Sequence, residues 1–318
     1  MGWFDFLKRL VGGRETLPPP DQGHDVEELA GRLQMSVDKL HRVEVSYGAF
    51  TVRKRRGGTR TIHAPNRPLK NFQRRLLRRV LSRLAVHPAA TGFQRGQSIV
   101  THAMLHAMRP VVLKLDIRDF FPSTSAGRIN AYFRRIGWNQ EAADLLVKWC
   151  THDGGLPQGA PTSPRLSNLV NFRMDARVSG LARQGCTLYT NPKTLDTVGP
   201  PGETTIFYTR YADDITLSFD DDVHGAVNSM IYAVKRIVSD EGYLLHTKKK
   251  LRIMRAHDRQ MVTGLVVNAG VNLPRETRRW LRAVEHHLAT GRTSTLTEAQ
   301  LQGWRALQSM IGRQTGTA

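Results

Sequence analysis

Cysteine is nearly absent: Cys150 and Cys186 stand far apart, and neither has His or Cys beside it at metal-ligand spacing. That excludes a disulfide framework, gives no sign of a zinc site, and fits a reducing cytoplasm. Long apolar runs are missing as well. The opening MGWFDFLKRLVGG is interrupted by Asp5, Lys8 and Arg9, well short of the roughly 18 apolar residues of a membrane span. Gly2 lacks the Ser or Thr at position 6 that a myristoylation signal requires. These absences describe a soluble cytoplasmic protein with no membrane partner.

Acidic residues are scarce: 27 Asp and Glu face 47 Lys and Arg, a formal charge of +20. Between Glu44 and Asp116 there is none, while eleven Lys and Arg crowd into 53–79. Self-repulsion of this size is tolerated when an anionic partner neutralises it, so nucleic acid is the expected partner. Such cations position a chain on phosphates without reading sequence.

A hydrophobic fraction of 40% supports an ordinary globular core. After a leader ending in Pro18–Pro20, the spacing of Leu29, Leu33, Val37 and Leu40 predicts a helix with Asp25 as its N-cap. Residues 49–52 and 59–62 read as two strands joined by a basic turn. Pro65 and Pro68 lead into a basic amphipathic helix bearing Phe72, Leu76, Leu77, Val80 and Leu84. VVLKL at 111–115 reads as a central strand covered on both faces and ending at Asp116. Helices are expected at 127–136, 141–150, after Pro164, and at 224–241. Residues 185–204 read as an irregular loop, and Pro274, Gly291 and a Thr297–Gln300 capping box frame two last helices.

In 207–219, FYTRYADDITLSF, two aspartates sit between alternating runs. Asp is a common turn residue, and Asp213–Asp214 reads as the tip of a hairpin. Asp116, at the end of a buried strand from a distant part of the chain, can meet them at one edge of a sheet. Three hard oxygen ligands there suit Mg²⁺. A pair of such ions supports in-line nucleotidyl transfer, the chemistry a basic, nucleic-acid-seeking protein would need.

LDIRDFF, GLPQGAPTSPRLSN and YADD, in that order, resemble the central motifs of reverse transcriptases. The resemblance runs from about residue 45 to about 270. It implies an α+β right-hand polymerase fold: a leader and helix to 45, fingers over 46–110, an antiparallel palm over 111–268, and a short helical thumb over 269–318. It also implies that Asp116, Asp213 and Asp214 hold two Mg²⁺ ions. Phe121 falls where the family gates against a ribose 2′-hydroxyl, and a plain core role is open to it too. Gln158 falls where the family contacts the incoming dNTP, Lys54 and Arg60 where it grips the triphosphate. Lys250 matches a candidate proton donor to pyrophosphate.

Two further stretches resemble the retron branch. Val262-Thr263-Gly264 matches its Val-Thr-Gly signature, and 102–106 resembles its Asn-Ala-x-x-His signature, with His102 in place of Asn and His106 in register. Both signatures imply contact with structured RNA, and Arg275, Arg278, Arg279 and Arg282 offer a cationic helix face to a duplex. No length remains for the endonuclease and extended maturase regions of many group II intron enzymes. The implied activity is reverse transcription of a cognate noncoding RNA into branched RNA-linked msDNA, trimmed by host RNase H, with an effector protein in anti-phage defence. Other bacterial reverse transcriptases, and a nucleic-acid-binding scaffold that has kept the motifs, stay open at this level.

Overall fold

The computed structural model describes residues 17–53, 57–184, 205–246 and 251–316. The first residues of the leader, Lys54, Lys250 and the loop 185–204 lie outside that range.

The first helix, α1 (Val26–Leu33), starts where Asp25 Oδ1 accepts the Glu28 N–H at 2.9 Å, the expected N-cap. It buries Val26, Leu29, Ala30 and Leu33, an i, i+3, i+4, i+7 stripe. After α2 (Val37–His41), β1 (Tyr47–Arg53) pairs antiparallel with β2 (Thr59–Pro65), Phe50 opposite Ile62. Next comes α3 (Arg67–Arg79), with Asn66 as N-cap and Pro68 in its first turn. The apolar spacing predicts this helix to run on through Val80 and Leu84. It stops at Arg79, where Val80 leaves helical geometry (φ −115°), and Leu81–Arg83 form a 3₁₀ turn. The tighter turn keeps Val80 and Leu81 both buried.

The chain continues through α4 (Ile99–Met104), β3 (Val111–Asp116), α5 (Phe120–Ser123), α6 (Ala126–Arg135), α7 (Gln140–Cys150), α8 (Ser163–Val170) and α9 (Phe172–Gln184). A hairpin of β4 (Ile206–Tyr211) and β5 (Asp214–Phe219) precedes α10 (His224–Asp240). Short strands β6 (Arg252–Arg255), β7 (Met261–Val262) and β8 (Leu265–Val266) lead to α11 (Arg275–Ala289) and α12 (Glu298–Thr315). The Thr297–Gln300 capping box is formed: Gln300 N–H meets Thr297 Oγ1 at 3.3 Å and Thr297 N–H meets Gln300 Oε1 at 3.0 Å.

These elements group into two compact units, each drawn from three stretches of chain. One comprises Met1–Phe93, Ile117–Val178 and Val234–Leu245. Its core gathers Leu29, Leu33, Leu69, Leu76, Phe133, Trp138, Leu146 and Trp149. Each fully buried aliphatic or phenyl side chain contributes roughly 1.5–3 kcal/mol. The other comprises Gln94–Asp116, Ser179–Ala233 and His246–Ala318. It holds a four-stranded antiparallel sheet in the order β4-β5-β3-β6, with β3 in the interior as its apolar run requires. A second core, including Val100, Val112, Val262, Leu281 and Ile311, packs α4, α11 and α12 within this unit.

Candidate active site

The sheet register decides where the carboxylates fall. Asp116, last in β3, stands directly opposite Asp214, first in β5. Tyr211 pairs with Asp214 from the other side, leaving Ala212 and Asp213 as a two-residue turn. The three aspartates therefore share one end of the sheet. Ala212 has φ 56°, a conformation that costs a residue with a Cβ about 1–3 kcal/mol. Its carbonyl accepts a hydrogen bond from the fully buried Arg210 at 3.0 Å, which fixes the turn from below.

Because side chains alternate along a strand, Lys114 points to the same face as Asp116. Its Nζ donates to Asp214 Oδ2 at 2.5 Å. His246 Nε2 lies 3.7 Å from Asp116 Oδ1, and the His246 N–H donates to the Asp116 carbonyl at 2.8 Å. Burial pushes the Asp214 carboxyl up to about 6; Lys114 works against that rise, and the neighbouring Asp213 and Asp116 add to it. Asp116 and Asp213 act on the charge of Asp214, to which Lys114 is bonded, and a divalent cation would relieve that repulsion at a hard-oxygen set. The residues present fit such an ion. Lys114, His246 and Arg210 escape the motif reading, although the period of two places Lys114 beside Asp116.

The same face of the sheet carries Thr209, Thr216 and Ser218, and α4 with the turn after it supplies partners to Thr209 and Ser218. His106 shares hydrogen bonds with Ser218 Oγ (2.8 Å) and Thr209 Oγ1 (2.7 Å). His102 Nδ1 meets Thr209 Oγ1 at 3.1 Å and its ring packs edge-on against Tyr211. The resemblance places these two histidines against structured RNA; the structure buries both completely. The reason is the polar strand face, which needs buried partners and finds them in imidazole. Burial draws His102 down to about 3, Lys114 adding to it. Burial likewise holds His106 well below its ordinary value, with His102, Arg109 and Lys114 adding. Both rings are neutral at physiological pH.

Val262-Thr263-Gly264 forms the end of a hairpin. Val262 pairs with Leu265, and the intervening Thr263 (φ 47°) and Gly264 (φ 87°) have the two positive φ values of a type I′ turn. Val262 is buried, so its side chain offers nothing to RNA, whereas Gly264 is exposed. Thr263 Oγ1 donates to the Ile99 carbonyl at 3.0 Å, tying this turn to the first residue of α4. The Val-Thr-Gly turn is thus anchored three residues before the 102–106 signature. Arg275, Arg278, Arg279 and Arg282 are exposed along α11, whose Leu281 and Val284 turn inward.

In the other unit, Phe121 is half-buried against the apolar core, with ring centroids 5.5 Å from Phe120 and 6.2 Å from Phe93. Its carbonyl accepts the Leu156 N–H at 3.2 Å, one residue before the Pro157-Gln158-Gly159 loop. Ser163 Oγ donates to the Pro157 carbonyl at 2.8 Å. Gly159 has φ 129°, and a Cβ there would fall 2.9 Å from the His63 carbonyl oxygen, so the loop that presents half-buried Gln158 requires glycine. Arg60 is exposed on β2 opposite Val52.

Residues 52–281 match the reverse transcriptase (RNA-dependent DNA polymerase) family. The motifs and the carboxylate-bearing antiparallel sheet therefore belong to an RNA-directed DNA polymerase, a class that uses dNTPs and a divalent metal. The chain is 36% identical over 312 residues to the retron Mx65 reverse transcriptase of Myxococcus xanthus, spanning 90% of this chain and 68% of that protein. It is 32% identical over 299 residues to the retron Ec86 reverse transcriptase of Escherichia coli, spanning 91% and 84%. The chain belongs to the retron-type reverse transcriptases. Among its described residues, no helix is long and apolar enough to cross a membrane.

Proposed function

We propose that this enzyme copies part of a cognate structured noncoding RNA into branched RNA-linked msDNA, starting from the 2′-hydroxyl of an internal guanosine. The observation that carries the reading is the register placing Asp116 opposite Asp214, with Asp213 in the adjoining turn. Asp116, Asp213 and Asp214 would hold two Mg²⁺ ions. When bound, such ions activate the priming hydroxyl and stabilise the leaving pyrophosphate. Lys114 keeps Asp214 oriented, and Arg210 keeps the turn closed beneath Asp213. Gln158 and Phe121 serve the incoming dNTP as contact and 2′-hydroxyl gate. Arg60 and Lys54 hold its triphosphate by charge-assisted bonds, and Lys250 returns a proton to pyrophosphate.

In the right-hand description, β1–β2 belongs to the fingers, the four-stranded sheet to the palm, and α11–α12 to the thumb. The exposed arginine face of α11 supports an RNA duplex as its partner, contacted through phosphates. Cytoplasmic action, trimming of the template by host RNase H, and service to an effector protein in anti-phage defence complete the reading. Expression with the noncoding region immediately upstream, supplied with dNTPs and Mg²⁺, yields DNA joined to RNA through a debranching-sensitive bond. An Asp213→Asn/Asp214→Asn control yields none. Linear DNA made solely from an added primer would overturn the branched-product assignment.

A further inference from the structure

No spacing in the sequence announces a transition-metal site, because the residues that form one come from segments about ninety positions apart. His63 lies on β2; His152 and Asp153 lie in the turn that follows α7. One potential ligand atom from each lies within 4.8 Å of the other two. A point within about 2.8 Å of all three follows from that spacing, so shortening to Zn–N and Zn–O bonds of roughly 2.0–2.2 Å takes shifts under about 1 Å each. Rotation about χ2 of a half-exposed imidazole, or of the exposed Asp153 carboxylate, supplies that movement.

The surroundings hold the ligands in place. The His63 and His152 rings stand 4.8 Å apart, and the Tyr47 ring packs on His152 at 4.6 Å. Tyr47 is itself fixed by a hydrogen bond from Gln73 Nε2 at 2.8 Å. The turn is closed on itself: His152 N–H donates to the Gly155 carbonyl at 2.9 Å, and Gly155 N–H to the His152 carbonyl at 3.1 Å. Gly155 also presses so close to Pro122 that a Cβ there would fall 2.1 Å from its carbonyl oxygen. Asp153 takes φ 50° in this turn and places its carboxylate 3.4 Å from His152 Nε2. Ring packing and the closed turn limit how far these side chains stray before the ion arrives.

We infer that His63, His152 and Asp153 bind one Zn²⁺ ion, which staples β2 to the turn leading into the Pro157-Gln158-Gly159 loop. Two imidazoles and a carboxylate suit zinc, with water completing a tetrahedron. It shares no residue with the three aspartates, whose all-oxygen set suits Mg²⁺.

The test is titration of metal-stripped full-length protein with Zn²⁺ in excess Mg²⁺, by competition with a chromophoric chelator, and with Co²⁺, whose tetrahedral complexes absorb visible light. One ion binds per chain, and the thermal midpoint rises with Zn²⁺. His63→Gln and His152→Gln each weaken binding at least about tenfold, since even second-layer changes cost that much. Asp153→Asn, at an exposed position that spares the fold, weakens it as well and removes the Zn²⁺-dependent rise. Circular dichroism and the metal-free midpoint check that the histidine variants stay folded. Absence of stoichiometric uptake, or uptake unchanged in Asp153→Asn and the folded histidine variants, overturns the assignment.

Discussion

The hairpins β1–β2 and β4–β5 are near equals in length, seven residues per strand in one and six in the other. Their surroundings are opposite. All of β1 after Tyr47 is exposed, and β2 becomes buried only toward its end at Pro65. In β5 every residue after Asp214 is buried, and β4 has buried Ile206, Tyr208, Thr209 and Arg210. A carboxylate set that must hold its mutual spacing is built on strands fixed from both faces. A basic arm proposed to hold mobile phosphates needs charge and reach, and tolerates solvent on its sides.

The sharpest way to test this contrast is at the turn. Asp213→Asn keeps the turn and its Arg210 contact but removes a charge, so DNA synthesis falls by at least about 10²–10³-fold in a primer-extension assay, on the scale of losing a key electrostatic group. Next in size is His106→Ala, which leaves the Ser218 hydroxyl without its imidazole and Thr209 with His102 alone, and opens a cavity beneath β4–β5. Urea unfolding should show a loss of about 2–4 kcal/mol.

The same histidines give the stability of β4–β5 a pH dependence. Their folded pKa values are depressed, so the unfolded chain binds more protons below its ordinary histidine value of 6.5. Stability therefore falls as pH drops through that value, by up to about 1.4 kcal/mol per pH unit for each histidine. For His102 the slope persists toward a folded value of about 3. Denaturation between pH 7 and pH 5 measures it, and His106→Asn should flatten it. The smallest effect on stability belongs to the exposed arm: Arg60→Ala changes unfolding free energy by less than about 0.5 kcal/mol. Its KM for dNTP rises several-fold if the arm holds triphosphate, and an unchanged KM would remove Arg60 from that role.

Much of this was legible before the fold. Alternation in FYTRYADDITLSF defines β4–β5, Asp25 and Thr297 cap helices, and VVLKL lies inside the sheet. Strand order was not legible, because β3 sits between β5 and β6 through pairings about 100 and about 140 residues apart, which local periodicity does not encode. His102 and His106 read as RNA-facing because the retron signature they resemble implies contact with structured RNA. The clue to their burial lay elsewhere: Thr209, Thr216 and Ser218 fall on one strand face and call for polar partners. Lys114 was visible by the period of two. His246 carries no local signal, since its place beside Asp116 depends on the pairing of distant segments.

The short helix α4 also bears on the order in which the enzyme becomes competent. Six residues are too few to form a stable helix in isolation. Ser98 bonds to Gln314 across 216 positions, Ile99 to Thr263 across 164, and His106 to Ser218 across 112. Contacts of such separation form late. A ribosome-bound chain therefore carries its aspartates well before it has the support beneath them, and polymerase activity waits until α12 has been made and can dock.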